Sequence, residues 1–384
     1  MKAAARPPGP SVVREGPQMR LNRRQTFAAL GATLAMPYVR PSWAQSSSLN
    51  VYNWADYIGE TTLEDFEAAT GIGVVYDTYS SAEEMQAKML AGSTGYDVVN
   101  HSGLNMPQAI GAGVYQKLDR AKLPNWKNLD PVILKMLAEW DPGNEYGQPY
   151  FWGSVGVTYN LDLVRERLPD ADLESLDTIF KPENAEKLAD CGISILDSPT
   201  DTIPMALTYL GLDGNTTNPA DYEKVVELYK AIRPYIRTFD NTNYINAIPN
   251  GELCVINNWS GDYSVSKARA AEAGIEMNLA YYVPKSGAPA WADCMAIPAD
   301  AQNVENAHKF LNFMMEPEVI AACTNYTGYA NAVLPALEFV DEAVRNDPAV
   351  YPDDTVKSRL WAQKALTEEQ DRAITRIWTD IKAG

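Results

Sequence analysis

Residues 49–102 read LNVYNWADYIGETTLEDFEAATGIGVVYDTYSSAEEMQAKMLAGSTGYDVVNHS, where short apolar runs alternate with segments of helical periodicity. A capping box of Ser81 and Glu84 marks the start of the second helix, and Gly92 marks its end. The order β-α-β-α-β predicts an open α/β sheet with right-handed crossovers, which binds ligands beyond the carboxyl ends of its strands. The predicted strands cover residues 49–54, 72–79 and 97–100, and the predicted helices cover residues 61–70 and 81–90.

Tryptophan–aspartate pairs recur where apolar runs break. Three of them are Trp54 with Asp56, Trp259 with Asp262, and Trp291 with Asp293. If these breaks converge, they form an aromatic box with acidic ends, which suits a cation on an apolar stem because ring faces attract the charge and carboxylates hold ammonium groups. The structural alternative for each pair is a half-buried Trp beside a solvated acid. Two further pairs, Trp140 with Asp141 and Trp378 with Asp380, fall in stretches that predict helix surface or loop.

Position favours a ligand role for the first pair. Trp54, Asp56, Tyr57 and Ser102 all follow predicted strand ends, where an open α/β sheet places its ligand. Asp262 stands just before a predicted helix over residues 263–273, and the positive end of that helix is a purely structural reason for an acid there.

The remainder of the chain continues the alternation of strands and helices. Residues 150–160 predict one long extended stretch. Gly153 and Gly156 make the backbone of this stretch more flexible where a crossover between two lobes is needed. Further strands are predicted over residues 194–197, 253–259, 278–283 and 292–297, and further helices over residues 220–232, 304–315, 317–324, 337–345 and 368–381.

Residues 1–44 predict an export signal. An arginine pair, Arg23 and Arg24, precedes Phe27 and a short uncharged run, which leads to a small-x-small cleavage site at residues 42–44. Paired arginines followed by Phe resemble a twin-arginine leader. The apolar run is much shorter than the about 20 residues that span a bilayer, which argues against an N-terminal anchor. We therefore expect a mature chain that acts in the periplasm and does not insert into the membrane; the true start site stays open.

The mature chain is strongly acidic. Residues 1–44 hold seven of the 32 basic residues and one of the 50 acidic residues, so the remaining 340 residues carry 25 basic and 49 acidic side chains and a net charge of −24. Such a field repels nucleic acid and anionic membranes and favours cationic ligands. A chain of this length is sufficient for two domains that each bury a core.

Cysteine and histidine usage offers little for metal binding or catalysis. Four cysteines, Cys191, Cys254, Cys294 and Cys323, allow three complete pairings, and their spacings do not match a zinc site. A secreted hydrolase would need a nucleophile and a base, but the chain has no G-x-S-x-G motif, and His101 beside Ser102 is the one arrangement that suggests such a pair. We therefore predict no catalytic residue, no metal site and no cofactor.

Motifs along the whole mature chain resemble those of periplasmic polyamine-binding proteins, the solute receptors of spermidine and putrescine ABC importers, and of the putrescine-binding branch in particular. The matching segments are residues 51–58, 71–77, 90–95, 118–131, 181–184, 244–246, 259–262, 329–332 and the closing segment around Trp378. The resemblance implies the α/β fold of a type II periplasmic binding protein, in which two lobes close on one ligand. We expect lobe 1 over residues 45–153 and 293–337, lobe 2 over residues 154–292, and C-terminal helices on lobe 2 over residues 338–384.

The same resemblance implies a set of cleft residues. Trp54 and Tyr57 match residues that wall the polyamine, and Asp262 and Asp293 match acids that bind one ammonium group. The other implied positions are Trp259, Trp291 and Tyr329 in the aromatic box, Ser102 at the far end, Asp56 acting from a second layer or through water, Asp201 where the family usually has Glu near the second ammonium, and Asn241 as a polar residue facing the cleft.

Departures from the family pattern bear on the choice of amine. Trp291 replaces a Phe that is common in putrescine binders, and indole offers a larger wall and a stronger cation–π face, worth about 0.5–2 kcal/mol per contact. Ala55 and Leu104 make one end of the pocket less polar. We therefore hypothesise that spermidine binds at least as well as putrescine.

The resemblance also implies a disulfide and a partner. Cys191 and Cys254 match positions that pair in the putrescine-binding branch, whereas Cys294 and Cys323 are either buried thiols or a second bridge. The implied partner is the membrane permease of an ABC importer, with the receptor itself a monomer. The alternatives are a sensor in place of the permease, and another cationic or opine-like solute in place of the polyamine. A carboxylate ligand would require a cleft arginine, which the candidate set lacks.

Overall fold

The computed structural model describes residues 48–384, so the predicted export signal lies outside the described residues. The strands of this part are β1 Ser48–Trp54, β2 Gly73–Tyr79, β3 Val98–Ser102, β4 Gly147–Asn160, β5 Ile193–Ile195, β6 Ile236–Phe239, β7 Val255–Trp259, β8 Leu279–Tyr282, β9 Ala288–Ala296, β10 Ala330–Asn331 and β11 Leu360–Ala362. The helices are α1 Thr62–Thr70, α2 Ala82–Ala91, α3 Met106–Gly111, α4 Pro131–Leu137, α5 Leu161–Arg167, α6 Asp177–Phe180, α7 Pro182–Leu188, α8 Pro199–Tyr209, α9 Pro219–Ile232, α10 Tyr244–Ala247, α11 Ser260–Glu272, α12 Val304–Phe313, α13 Pro317–Thr327, α14 Glu342–Arg345, α15 Asp354–Lys357 and α16 Glu368–Ala383. Shorter 3-10 turns cover Gly103–Asn105, Arg120–Lys122, Pro124–Asn128, Arg233–Tyr235 and Leu334–Glu338.

The opening β-α-β-α-β unit forms as the sequence predicts. Strand β1 pairs in parallel with both β2 and β3. Helix α1 ends at Gly71, whose φ of 70° lies in the left-handed region that favours glycine. At the start of α2, the Ser81 side chain accepts a hydrogen bond from the backbone N–H of Glu84 at 3.1 Å. Local signals therefore mark the end of α1 and the start of α2 in this unit.

Strand β4 is shared by two sheets. Its residues 147–154 pair with β9, and its residues 155–160 pair with β7 and β8. The strand order is β2-β1-β3-β9-β4 on one side and β4-β7-β5-β6 on the other. The long extended stretch predicted from residues 150–160 is thus a crossover between two sheets. Gly153 is needed there for a close approach, because an added Cβ would lie 2.6 Å from the Trp291 ring.

Buried apolar side chains form two separate cores. The first draws on residues 49–151 and 292–340, and the second draws on residues 155–288 and 349–381. The largest fully buried side chains include Phe151 and Phe310 in the first core and Tyr229 and Tyr244 in the second. This arrangement is the two-lobed α/β fold of a type II periplasmic binding protein. The residue boundaries set for the lobes from the sequence stay a prediction.

Several local predictions are wrong. The helix predicted over residues 337–345 is a 3-10 turn followed by the short helix α14. Trp140 and Trp378, which were expected on helix surface or in loops, are 2% and 3% exposed. Each is buried together with a partner for its indole N–H: Trp140 donates to the Gln363 carbonyl at 2.8 Å, and Trp378 donates to Asp197 at 2.7 Å.

The disulfide implied by the family resemblance is confirmed. Cys191 and Cys254 are bonded, and their Cα atoms lie 5.5 Å apart. Cys294 and Cys323 are buried free thiols, which settles the choice between thiols and a second bridge. Across residues 48–384, none of the helices has both the length and the apolar character needed to cross a bilayer.

Candidate functional site

A cavity of about 100 Å³ lies between the two cores. Trp259 and Trp291, which line it, each pack against both cores, so the cavity occupies the interlobe cleft. The structure brings all eleven predicted ligand-binding residues to this one cavity: Trp54, Asp56, Tyr57, Ser102, Asp201, Asn241, Trp259, Asp262, Trp291, Asp293 and Tyr329. The strand ends predicted to converge therefore do so.

The turn after β1 is held in shape by buried amide groups. Asn53 accepts a hydrogen bond from the backbone N–H of Trp54 at 2.8 Å and donates to the Tyr57 carbonyl at 3.3 Å. Tyr150 adds a hydroxyl bond to the same carbonyl at 2.9 Å. Asp56 sits at the tip with a φ of 54°, and it forms an ion pair with Arg269 of helix α11 at 3.1 Å. This pair joins the two lobes at the rim of the cleft.

Asp262 is held by two tyrosines. It lies in the first turn of α11, where the helix dipole favours an acid. Its Oδ1 accepts a hydrogen bond from Tyr329 at 2.6 Å, and its Oδ2 accepts one from Tyr244. Burial raises the pKa of Asp262 to about 6, against the opposing effect of the two hydroxyl groups. A cation at this carboxyl would compete with a proton near neutral pH.

Asp293 lies on β9 directly opposite Ser102 of β3. Burial raises the pKa of Asp293 to about 7; the nearby Tyr57 hydroxyl opposes this shift, and the charge of Asp201 adds to it. The Tyr57 hydroxyl and the Trp54 Nε1 both act on the Asp293 carboxyl, but among the described residues neither reaches it or any other acceptor with good hydrogen-bond geometry. Buried donors of this kind at a cavity wall are the groups expected to turn to a ligand or to its counter-charge.

Asp201 lies in the first turn of α8 and lines the cleft there. Its Oδ2 accepts hydrogen bonds from Ser198 at 2.7 Å and from the Trp259 indole N–H at 3.2 Å. Burial raises the pKa of Asp201 to about 6, and the charge of Glu83 from the first lobe contributes to the rise. Asn241 donates to the Asp197 carbonyl at 3.1 Å, while its Oδ1 is buried with no partner among residues 48–384.

Aromatic rings form the walls of the cleft. Trp54 packs against Tyr79 with ring centroids 4.4 Å apart and faces Trp259 at 6.1 Å. Tyr329 contacts Tyr57 at 5.0 Å and Trp291 at 5.4 Å, both edge to face. These rings line the cavity, and aromatic rings of this kind attract ammonium charges and pack against methylene groups.

The charge of the lining decides the class of ligand. Five acids line the cavity, and the lining contains no Lys, Arg or His among the described residues: the acids are Asp56, Glu83, Asp201, Asp262 and Asp293. A carboxylate ligand would find no opposite charge there, so the cleft suits a cation. No group of three or more His, Cys, Asp or Glu residues within residues 48–384 is arranged to hold a metal ion.

Comparison with known proteins agrees with this geometry. A family model described as bacterial extracellular solute-binding protein matches residues 61–352. The chain belongs to this solute-binding protein family. The chain is 47% identical over 342 residues to the putrescine-binding periplasmic protein SpuD of Pseudomonas aeruginosa, an alignment that covers 89% of this chain and 93% of SpuD.

Other relatives of this solute-binding protein point the same way. The putrescine-binding periplasmic protein PotF of Escherichia coli is 41% identical over 366 residues, which cover 95% of this chain and 99% of PotF. Among solved structures, the spermidine/putrescine ABC transporter substrate-binding protein PotD of Streptococcus pneumoniae superposes with a TM-score of 0.73 at 28% identity, over 88% of this chain and 99% of PotD.

Sequence reasoning missed several cleft residues. Its assignment of Asp262 and Asp293 to one ammonium group stays a prediction. Burial and the charges of both carboxyls raise the pKa of Tyr329, so Tyr329 lies near each of them. The missed residues include Tyr79, Glu83 and Gln363 in the lining and Tyr244 beside Asp262. Tyr244 opens one of the segments that resemble the family, so that resemblance was the available signal.

Proposed function

We propose that this protein captures a polyamine in the periplasm and delivers it to the membrane permease of an ABC importer. The observation that carries the proposal is the cleft between tryptophan walls, lined by five acids and, among the described residues, by no basic side chain. The relatives named for putrescine and spermidine support the same class of ligand. The protein acts by binding and release, since its family consists of solute-binding proteins.

Binding in the cleft removes water from each ammonium group, and a fixed set of hydrogen-bond acceptors has to compensate for the lost hydration. Asp262 accepts one hydrogen bond from Tyr329, which belongs to the first core, and one from Tyr244, which belongs to the second. Both hydrogen bonds are therefore made when the lobes are together. Closure of the lobes on the ligand gives the permease a shape that differs from that of the empty receptor. The Asp56–Arg269 pair lies at the rim and adds to the closed state.

Spermidine binds to this cleft at least as tightly as putrescine. Three acids, Asp262, Asp293 and Asp201, line the cleft, which suits a ligand with three ammonium groups. Trp291 supports this preference because its indole packs edge to face on Tyr329 and presents a broad surface to an internal ammonium.

Calorimetry with putrescine, cadaverine, agmatine and spermidine on the mature protein tests both parts of the proposal. We expect spermidine to bind with a dissociation constant no larger than that of putrescine. The matched variant Trp291→Phe should weaken spermidine binding by about 2–30-fold, the range of about 0.5–2 kcal/mol for a cation–π contact, and should affect putrescine less. Tighter binding of putrescine than of spermidine would reject the preference, and failure of all four amines would reject the function.

A further inference from the structure

A second cavity adjoins the amine cleft. Its volume is about 120 Å³, against about 100 Å³ for the cleft by the same measure. The two cavities share Leu104, Thr200 and Gln363 in their linings, so these three residues form the partition between them. A volume of this size is several times the about 10–15 Å³ that one water needs, and it is sufficient for a small organic group.

The lining of the second cavity differs from the cleft in charge. Lys364 is the single charged residue among its described lining residues, and no acid is present. Helix α8 supplies Ile203 and Leu207 to one wall, and Ile374 of helix α16 faces them from another. An ammonium group placed here would lose its hydration, gain no carboxylate, and lie close to a second cation. The cavity therefore suits an uncharged group.

Several polar groups of this lining are paired with backbone, and none of the described lining side chains is buried with an unpaired polar atom. Asn215 accepts from the backbone N–H of Lys364 at 2.8 Å and donates to the Ala362 carbonyl at 3.3 Å. Tyr222 donates to the Thr216 carbonyl at 2.7 Å, and Gln370 accepts from the Thr367 N–H at 2.9 Å. An apolar occupant leaves these bonds intact, because none of the groups requires a partner from the ligand.

We infer that the second cavity holds the acyl end of a monoacylated polyamine whose free ammonium groups occupy the acidic cleft. The inference rests on the proposed function and narrows its ligand class. Acylation replaces one ammonium group by a neutral amide. A neutral group suits the second cavity, whose described lining has no acid, whereas the remaining ammonium groups suit the acidic cleft. The partition offers an acceptor to such a group: Gln363 donates its side-chain N–H to the Thr200 carbonyl, and its Oε1 can accept from the N–H of the ligand amide.

The acid that follows the partition residue Thr200 in the chain already has protein hydrogen-bond donors. Asp201, next to Thr200, already accepts hydrogen bonds from Ser198 and from the Trp259 indole. Both donors reach the same oxygen, Oδ2, and they offset part of the cost of leaving this carboxyl without a cation. Asp262 and Asp293 remain for the two ammonium groups that a monoacetylated spermidine keeps. The arrangement therefore accepts one capped end and rejects two.

Calorimetry with spermidine, its two monoacetyl isomers and the diacetyl compound tests the inference. We expect at least one monoacetyl isomer to bind within about tenfold of spermidine, a difference of about 1.4 kcal/mol or less, and the diacetyl compound to bind more weakly by at least about tenfold again. The variant Ala365→Trp places a large ring at an exposed position of the second cavity. It should weaken binding of that isomer by about tenfold or more and leave spermidine within about threefold.

The control variant is Ala383→Trp, an exposed alanine near the end of α16 that lies outside both cavities. It should change neither affinity. Spermidine binding without binding of either monoacetyl isomer would overturn the inference and leave the proposed function standing. Equal losses of spermidine and the acetylated ligand in Ala365→Trp, or diacetyl binding equal to monoacetyl binding, would also overturn it. Failure of spermidine and putrescine alike would remove the proposed function, and the inference with it.

Discussion

Polyamine binding by this protein is expected to weaken as the pH falls from 8 to 6. Burial raises the pKa of Asp293 to about 7, because removal from water penalises the charged carboxylate. A bound ammonium favours the charged form and lowers that pKa again, so binding releases a proton. The ligand itself stays charged over this range, since alkylammonium groups titrate near a pKa of about 10.4. A proton and the amine therefore compete for the same carboxyl.

The size of the effect follows from the three acids. A carboxyl with a pKa of about 7 is about 90% ionised at pH 8 and about 10% ionised at pH 6, so Asp293 alone weakens binding by about tenfold. Asp262 and Asp201, with pKa values of about 6, each contribute about twofold more. If all three must be charged, the loss is about fortyfold. At pH 7 the three carboxyls together should release about 0.7 proton per polyamine bound.

Calorimetry at pH 6, 7 and 8, in buffers with different enthalpies of ionisation, measures both the affinity and the protons released. The control is Asp293→Asn, which should keep the fold by circular dichroism and bind more weakly by an order of magnitude or more at pH 8. Its loss of affinity between pH 8 and pH 6 should shrink to about fourfold. Equal affinity of the unmodified protein at the two pH values, or an unchanged pH response in Asp293→Asn, would refute the assignment of Asp293 as the titrating ligand group.

Other expected outcomes concern single contacts. Tyr244→Phe removes one of the two hydroxyl donors to Asp262 and should weaken spermidine binding by about 2–10-fold in calorimetry, with little change in melting temperature; no change in affinity would mean that Tyr329 suffices. Replacing both Cys191 and Cys254 by Ser opens a 63-residue loop and should lower the free energy of unfolding by about 4 kcal/mol in urea titrations, and a loss below about 1 kcal/mol would contradict this. Asp56→Asn breaks an exposed pair between the lobes and should cost about 0.2–1 kcal/mol of binding free energy. In the background of Arg269→Gln, where the pair is already absent, Asp56→Asn should have almost no further effect. A further loss of affinity in that background would indicate direct contact between Asp56 and the ligand.

Much of the fold is predictable from local signals. The β-α-β-α-β unit follows from residues 49–102 because each element has its own pattern, cap or terminating glycine. Helix α8 lacks such a signal: Pro199 begins it and Pro204 lies inside it, which disfavours a helix on propensity alone. Strand β6 has four residues, and three of them are at least partly exposed, so its pairing with β5 defines it more than its own sequence does. Such elements depend on tertiary context.

The residues of the candidate site likewise fall into those that the sequence predicts and those that depend on tertiary contacts. Its tryptophans and acids are predictable because they follow strand ends within segments that resemble one family. Gln363 is not, because its place in the cleft depends on contacts between distant parts of the chain. Its carbonyl accepts from Trp140, which is 223 residues away, and its side chain donates to the Thr200 carbonyl. A buried indole needs an acceptor for its N–H, and for Trp140 this acceptor is the Gln363 carbonyl. Because the sequence predicts Trp140 at the surface, it gives no reason to look for such an acceptor.

Gly261 explains why the Trp259–Asp262 segment has this form. An added Cβ at Gly261 would lie 2.5 Å from the Tyr329 ring, so any side chain there would push the ring away. The Tyr329 hydroxyl would then leave Asp262, to which it donates at 2.6 Å. Trp259 holds Asp201 at the other side of the same turn, at 3.2 Å. One strand-to-helix turn in the second lobe thus positions two acids, and the glycine within it lets a tyrosine from the first lobe reach one of them. The pairing of Trp with Asp in this segment therefore reflects closure of the lobes as much as recognition of the amine.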